Sequence, residues 1–448
     1  MDSENVLSGG SYRGAGADLL SRHGVSAGDT ISVSTGDDGE TTIGVLMPRY
    51  ESASDCYIVI KLKSGYNTGI EVSKIKTIKK IAGPATVEAV TAQPAPQHKR
   101  GDDTLPKIAL ISTGGTIASK IDYRTGGVRA ALSASELYAS VPELAGIASV
   151  DPEVLMSEYS ENLNPSHWTA MADRIAEKVR SGKYDGILVS HGTDTMHYTA
   201  AALSFALQDL PIPVVLVGAQ RSSDRPSSDA ALNLIGAATF AAKAPVAGVF
   251  VAMHAGTSDD AVAVHVGTRV RKNHTSRRDA FESIDVTPVA LVKDGRVDMQ
   301  QENGIVLAQR GKRELKLQSS FDSRVALVKY HPGFDPMMVY WLISSGCGAM
   351  VFEGTGLGHV NRNMFGVLKE AAEKGVHMFM TSQCIWGRVR MTVYDTGRDL
   401  LGIGVVPLSD MISETAVVKA MWALANAQDP KKTMQENLAN EISSAIPI

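Results

Sequence analysis

The chain has 448 residues, 44% of them hydrophobic and 21% charged, with a formal net charge of −4. That is the balance of a globular protein with sizeable cores, and at roughly 150 residues per domain it accommodates two to four domains. The charge excludes a whole-chain basic field directed at nucleic acid or anionic membrane, so any nucleic-acid contact has to come from a local patch or a partner subunit.

No apolar run approaches the ~18 residues of a membrane span, and no charged segment followed by an apolar one marks a secretory leader. Three scattered cysteines, Cys56, Cys347 and Cys384, lack CxxC spacing. They point to neither a disulfide framework nor a zinc site, and a reducing, cytoplasmic setting fits.

Residues 1–85 read as a small all-β, barrel-like domain. "DTISVSTGDDGETTIGVLMPRY" and "CYIVIKLKSGYNTGIEVSKIKTIKKI" hold short runs rich in Val, Ile, Thr and Tyr, interrupted by "GDDGE" and "SGYN". Antiparallel strands joined by tight turns have this pattern. The last strand is expected to carry Lys74, Lys76, Lys79 and Lys80. A solvated strand face is the ordinary reading of such a run; a contact for RNA phosphates is the sharper one. Residues 86–105, rich in Ala, Pro, Thr and Gln, read as an extended linker.

From 106 to 300 the texture changes. The apolar runs "KIALIS", "GILVSH", "PVVLVG" and "AGVFVAM" alternate with the helical segments "LSASELYASV", "HWTAMADRIAEKVRSG", "MHYTAAALSFAL" and "SDAALNLIGAATFAA". This predicts an α/β domain whose parallel sheet is covered on both faces, with ligands bound beyond the carboxyl ends of the strands. Residues 301–322 form a polar interdomain connection. A smaller α/β domain follows at 323–440, where "RVALVKYHPG", "GAMVFEGTG" and "VHMFMTSQC" alternate with helices, one of them at about 413–427.

Two loops fall at predicted strand ends. In "STGGTIAS", Gly114 and Gly115 let the backbone turn sharply and approach a ligand, which leaves Thr116 and its neighbouring N–H groups exposed. Those N–H groups are candidate oxyanion donors, although a glycine turn capped by threonines has the same sequence. In "HGTDTM", Thr193 is a second hydroxyl, Asp194 can receive a substrate ammonium or orient a base, and Thr195 is expected to cap the following helix.

A threonine hydroxyl is a weak nucleophile until a base removes its proton. Lys272, expected in a polar loop among Arg269, Arg271, Arg277 and Arg278, is the candidate, because desolvation and neighbouring cations favour the neutral amine; a solvated basic loop is the ordinary reading of the same residues. There is no metal-ligand cluster, and His191 and His197 read as structural.

The three motifs Thr-Gly-Gly-Thr, His-Gly-Thr-Asp-Thr and Arg-Lys-Asn-His-Thr, in this order, resemble the bacterial-type L-asparaginase and glutaminase family over residues 106 to 440. The resemblance implies an asparaginase-like two-domain body and amide hydrolysis through a threonine acyl-enzyme without metal. It implies Thr116 as the primary nucleophile, with Tyr123 on the loop after it. Thr193, Asp194 and Lys272 become the second hydroxyl, the carboxylate and the base. Ser160, Glu161 and Gly115 become substrate-binding residues. Many free asparaginases carry Gln where this chain has Glu161, so the resemblance does not fix the pairing with the substrate's α-amino group.

"GVLMPR" and "LKSGYNTGIEV" in the β-rich domain, and "TSQCIWGRVRMTVYDTGRDLL" at 381–401, extend the resemblance over essentially the whole chain. They are similar to the D-subunit family of archaeal glutamyl-tRNA(Gln) amidotransferases. This implies a subunit that releases ammonia from glutamine or asparagine and forms a homodimer within a larger heterotetramer. The partner E subunit would use ATP and Mg²⁺ to convert Glu-tRNA(Gln) to Gln-tRNA(Gln). No cofactor is then expected in this chain, which has no GxxxxGK[ST] phosphate loop. A free L-asparaginase with an extra N-terminal domain is the alternative.

Overall fold

The computed structural model describes residues 12–35, 40–47, 55–62, 67–82, 105–114, 119–121, 128–130, 141–221, 228–300 and 305–443. Gly115, Thr116, Tyr123 and nearly all of the helix expected over "LSASELYASV" lie outside them. The chain divides into two compact units: residues 1–104 with 118–131 and 221–230, and the remainder.

The first unit opens with a helix, Gly14–Arg22, followed by the strands Thr30–Thr35, Glu40–Leu46, Tyr57–Leu62, Asn67–Glu71 and Ile75–Ala82. The first four form an antiparallel meander, and the fifth returns to pair beside the first. Period-2 alternation turns Ile31, Val33, Ile58, Ile60 and Ile78 inward, where Leu20 and Val25 close the core. The lysines do not form one strand face. Lys74 sits in a 3₁₀ turn, Val72–Lys74, and pairs with Glu71 at 3.1 Å. Lys80 pairs at 2.8 Å with Asp29, which is fully buried. Lys76 and Lys79 are exposed on the strand.

The second unit is built on a large sheet. The strands Ser149–Val154, Lys107–Ser112, Gly186–Ser190, Pro213–Val217 and Val246–His254 lie side by side in that order, all parallel. Gly186–Ser190 and Pro213–Val217 are buried along their whole length, which is why they read as unbroken apolar runs. Beyond Val246–His254 the sheet continues antiparallel through Val262–Val266, Ala290–Lys293 and Arg296–Met299. Here the connections carry no crossover helix, so successive neighbours reverse direction; the sheet is mixed rather than wholly parallel.

The helices expected over 167–182, 196–207, 228–242 and 413–427 are present, whereas Gly14–Arg22, in the domain expected to be all-β, and Asp395–Ile403 and Pro430–Gln435 are additional. Pro165–Arg180 starts at Asn164, whose side chain accepts from Ser166 N–H in a capping box with His167, and proline takes the first position. Met196–Ala206 is buried on almost every side. A smaller sheet of four parallel strands, Val325–Lys329, Ala349–Gly354, His377–Ser382 and Val406–Pro407, follows. Its helix Ser413–Asn426 packs on Met196–Ala206, and Trp168, Phe205, Phe379 and Trp422 share one apolar cluster. The stretch 301–322 is more than a connection, since Ala308–Gln309 and Lys316–Leu317 pair back onto the larger domain.

The C-terminal segment is held by a fully buried ion pair, Lys419 Nζ to Glu441 Oε1 at 2.5 Å. Lys419 also donates to Met434 O, and the Glu441 carboxylate accepts from Leu438 N–H. A buried charge deprived of its partner is costly, whereas replacing both by apolar groups is often neutral. Glu441→Ala is therefore expected to cost about 3–5 kcal/mol in chemical denaturation, and Lys419→Met/Glu441→Leu less than either single change.

Candidate active site

Lys107–Ser112 and Gly186–Ser190 are in register with Ser112 opposite Ser190, so the two loops leave the sheet level with each other. Thr113 donates both its N–H and its hydroxyl to Ser190 O, at 3.1 and 2.8 Å. Ser190 Oγ donates to Ser112 Oγ at 3.1 Å.

Three glycines make this junction possible. Gly114 has φ +125°, and a Cβ there would lie 2.2 Å from Glu158 O; only glycine fits. A Cβ at Gly192 would lie 2.9 Å from Ser160 Cβ, and one at Gly218 would lie 2.9 Å from Thr193 Cγ2. Where the sequence predicts that Gly114 lets the backbone approach a ligand, the close approach it makes is instead to the chain's own backbone at Glu158.

Lys272 joins them from a different part of the chain. It ends a short strand, Val270–Lys272, paired with Phe281–Ser283, and does not sit in a polar loop. The apolar contacts of Val270 and Phe281 with the main core bring this ribbon in, which charge-rich sequence conceals. Lys272 Nζ donates to Thr193 Oγ1 at 2.8 Å and to Asp194 Oδ1 at 2.6 Å. The lysine side chain is 8% exposed and that of Asp194 69%, so the amine reaches the hydroxyl from the protein side while the carboxylate faces solvent. In its neutral form an amine at this distance can accept the hydroxyl proton.

Thr195 makes no side-chain cap; its hydroxyl donates to Ser160 O at 2.6 Å and ties the 3₁₀ turn Ser160–Asn162 to the loop. Ser160 is buried against Gly192, and Glu161 is exposed in the same turn. Thr193, Asp194, Lys272 and Ser160 are therefore brought together.

Sequence reasoning gave Arg269 and Arg271 only as surroundings of Lys272, yet both are anchors. Arg269, fully buried, meets Asp410 Oδ2 at 3.0 Å and also donates to Asp410 O and Glu441 O. Arg271 Nε donates to Glu414 Oε1 at 2.7 Å. Arg271 alternates with Val270 and Lys272 on the strand, while Arg269 lies in the turn just before it.

Three of the buried histidines, His191 on the loop, His197 on the helix after it and His265 on the strand Val262–Val266, are held in the neutral form near pH 7. Burial pushes His191, His197 and His265 each down to about 4. His191 bonds Gly192 O at 2.6 Å and Thr199 Oγ1 at 2.8 Å, and Thr199 Oγ1 also accepts from Trp168 Nε1. Nδ1 of His191 is thus the protonated nitrogen. Among the described residues no group of three or more His, Cys, Asp or Glu is placed to hold a metal, and no helix is long and apolar enough to cross a membrane.

Comparisons with known proteins agree with this architecture. Residues 107–304 match the N-terminal asparaginase domain, and residues 324–436 match the glutaminase/asparaginase C-terminal domain. The L-asparaginase of Thermococcus kodakarensis superposes with a TM-score of 0.66 at 33% identity, covering 76% of this chain and 100% of that one. A probable cytoplasmic L-asparaginase from Campylobacter jejuni does so with 0.61 at 28% identity, covering 74% and 98%. The body is an asparaginase fold in both of its halves.

Residues 25–81 match the GatD N-terminal domain. The glutamyl-tRNA(Gln) amidotransferase D subunit of Sulfolobus acidocaldarius is 45% identical over 96% of this chain and 95% of that protein. Those of Pyrococcus furiosus (44%, over 95% and 97%) and Methanopyrus kandleri (43%, over 96% and 94%) are similar. The chain belongs to the family of glutamyl-tRNA(Gln) amidotransferase D subunits.

The depressed histidines give a pH prediction. An unfolded histidine binds its proton near pH 6.5, whereas the folded ones bind only near 4, so the unfolded state takes up more protons between these values. Stability is then complete above about 6.5 and falls as pH drops toward 4, by about 1.4 kcal/mol per pH unit for each histidine. Urea denaturation at pH 7, 6 and 5 measures this slope. His265→Gln should flatten it by about one proton.

Proposed function

We propose that this chain is the amide-hydrolysing subunit of a tRNA-dependent amidotransferase. It releases ammonia from glutamine or asparagine for a partner E subunit, which uses ATP and Mg²⁺ to convert Glu-tRNA(Gln) to Gln-tRNA(Gln) in the cytoplasm. The observation that carries the reading is the lysine bonded at once to Thr193 and Asp194 at the carboxyl ends of parallel strands, in a chain matching D subunits over nearly its full length.

In this reading Thr116 attacks the side-chain carboxamide carbon. A C–O bond forms, the C–N bond breaks, and the leaving nitrogen takes a proton to depart as ammonia. Water, activated through Thr193 and Lys272, then cleaves the ester, yields glutamate or aspartate and restores the threonine hydroxyl. Asp194 holds Lys272 in place and offers its outward oxygen to the substrate's α-ammonium. Ser160, Glu161 and Tyr123 complete the substrate contacts, and the N–H groups around Gly115 stabilise the tetrahedral oxyanion. The chain works as a homodimer within a heterotetramer.

Thr116→Ala and Lys272→Ala should each lower glutamine-dependent amidation by the reconstituted complex by about 10²–10⁴-fold, yet leave amidation supplied with free ammonia intact. Loss of both activities would refute this division of labour. Deleting residues 1–85 should weaken coupling to tRNA amidation more than amide hydrolysis itself, and normal coupling in the truncated protein would count against a role for that domain. Fast ammonia release by the chain alone, unchanged by partner, ATP and Glu-tRNA(Gln), would favour a free asparaginase.

A further inference from the structure

We infer that Arg271, held by Glu414, is a positioning residue that keeps Lys272 within reach of Thr193. The inference rests on the proposed role of Lys272 in amide hydrolysis. Lys272 is delivered on a three-residue strand whose partner is the equally short Phe281–Ser283. A two-stranded ribbon of this size is marginal by itself, so side-chain anchors must fix where it lies.

Alternation supplies them. Val270 and Lys272 face one way, Val270 into the main core and Lys272 to Thr193 and Asp194. Arg271, between them, faces the other way and bonds Glu414 of the smaller domain, and Arg269, in the turn just before the strand, bonds Asp410 there. The two sides of one short strand are thus clamped by different domains, and the amine lies between the clamps.

Of the two anchors, Arg271 is adjacent to Lys272 and acts at the site's edge. Glu414 lies in the first turn of Ser413–Asn426, where the helix dipole favours an anion. It is nearly buried, and Arg271 is 30% exposed. His197 and Tyr198, on the helix that follows Asp194, both feel the charges of Glu414 and Arg271, and His197 feels that of Lys272 as well. The ion pair and the amine therefore lie against the same helix. A shift of about 1 Å at a reacting group is enough to cost on the order of 10²-fold in rate, and Nζ at 2.8 Å from Thr193 Oγ1 has little room to move.

The test measures ammonia release from glutamine by the full-length chain in complex with its E subunit and Glu-tRNA(Gln). Wild type is compared with Arg271→Gln, Glu414→Gln, the double variant, Arg271→Lys and Glu414→Asp, with thermal melting followed in parallel.

A positioning role predicts that each Gln variant loses about 10- to 100-fold in kcat while KM stays within about three-fold. The double variant should be no worse than the poorer single one, and Arg271→Lys should recover part of the loss well below the melting temperature. Unchanged kcat in a folded Arg271→Gln, a rise in KM with kcat intact, or losses that multiply in the double variant would each overturn it. Should the Gln variants not fold, Glu414→Asp decides: full kcat there refutes the inference, and reduced kcat at unchanged KM supports it. Lys272→Ala in the same assay separates the two ideas. An active Lys272→Ala would remove the functional reading itself, whereas an inactive one beside fully active Arg271 and Glu414 variants would remove only this inference.

Discussion

The site depends on one lysine side chain reaching two groups. Lys272 Nζ holds Thr193 Oγ1 and Asp194 Oδ1, which are neighbours in sequence but need a cation from some 80 residues further along the chain. Each larger feature of the second unit bears on that contact. The register of Lys107–Ser112 with Gly186–Ser190 sets the height at which the loops leave the sheet. Gly218 leaves room for the Thr193 methyl beneath. The antiparallel extension beyond Val246–His254 brings the chain back toward the strand that carries the lysine. Charge-assisted bonds of this kind are strong only when geometry is fixed beforehand, and here the fixing is spread over strands that share no local sequence.

Much of this was legible from residue order. Buried parallel strands have to be apolar throughout, so "GILVS" and "PVVLV" announced themselves, and the helices between them followed from their position between apolar runs. Thr193, Asp194, Lys272 and Ser160 all stand out in the sequence and are found together. The direction of the later strands was not legible, because a hairpin and a crossover differ in what lies between strands rather than in the strands themselves.

The errors at the site share a cause. Thr195 has the right residue type for a helix cap, yet its hydroxyl is taken by Ser160 O, a tertiary partner 35 residues away. Lys272 sits among cationic and polar neighbours that suggest a solvated loop. What decides its conformation is Val270 two residues earlier, fully buried in the main core. In the first unit, four lysines close in sequence suggested one basic face, but a 3₁₀ turn and a fully buried aspartate divide them. In each case a local preference is overridden by a contact that only the fold can create.

The distribution of charge in the second unit carries a further consequence. Arg269, Asp410, Lys419 and Glu441 are ionic side chains removed from water, and buried ion pairs are weak sources of net stability. Their effect is directional: they fix the smaller domain and the C-terminal segment against the strand that leads into Lys272. An apolar interface would tolerate small slips of one domain on the other, whereas a hydrogen-bonded buried charge does not, because each slip leaves a donor or acceptor unpaired. A side chain that holds two partners at 2.8 and 2.6 Å has little room to shift without losing one of them. A fold that takes the hydroxyl from one domain and braces the lysine beside it from another gains from the less forgiving kind of contact.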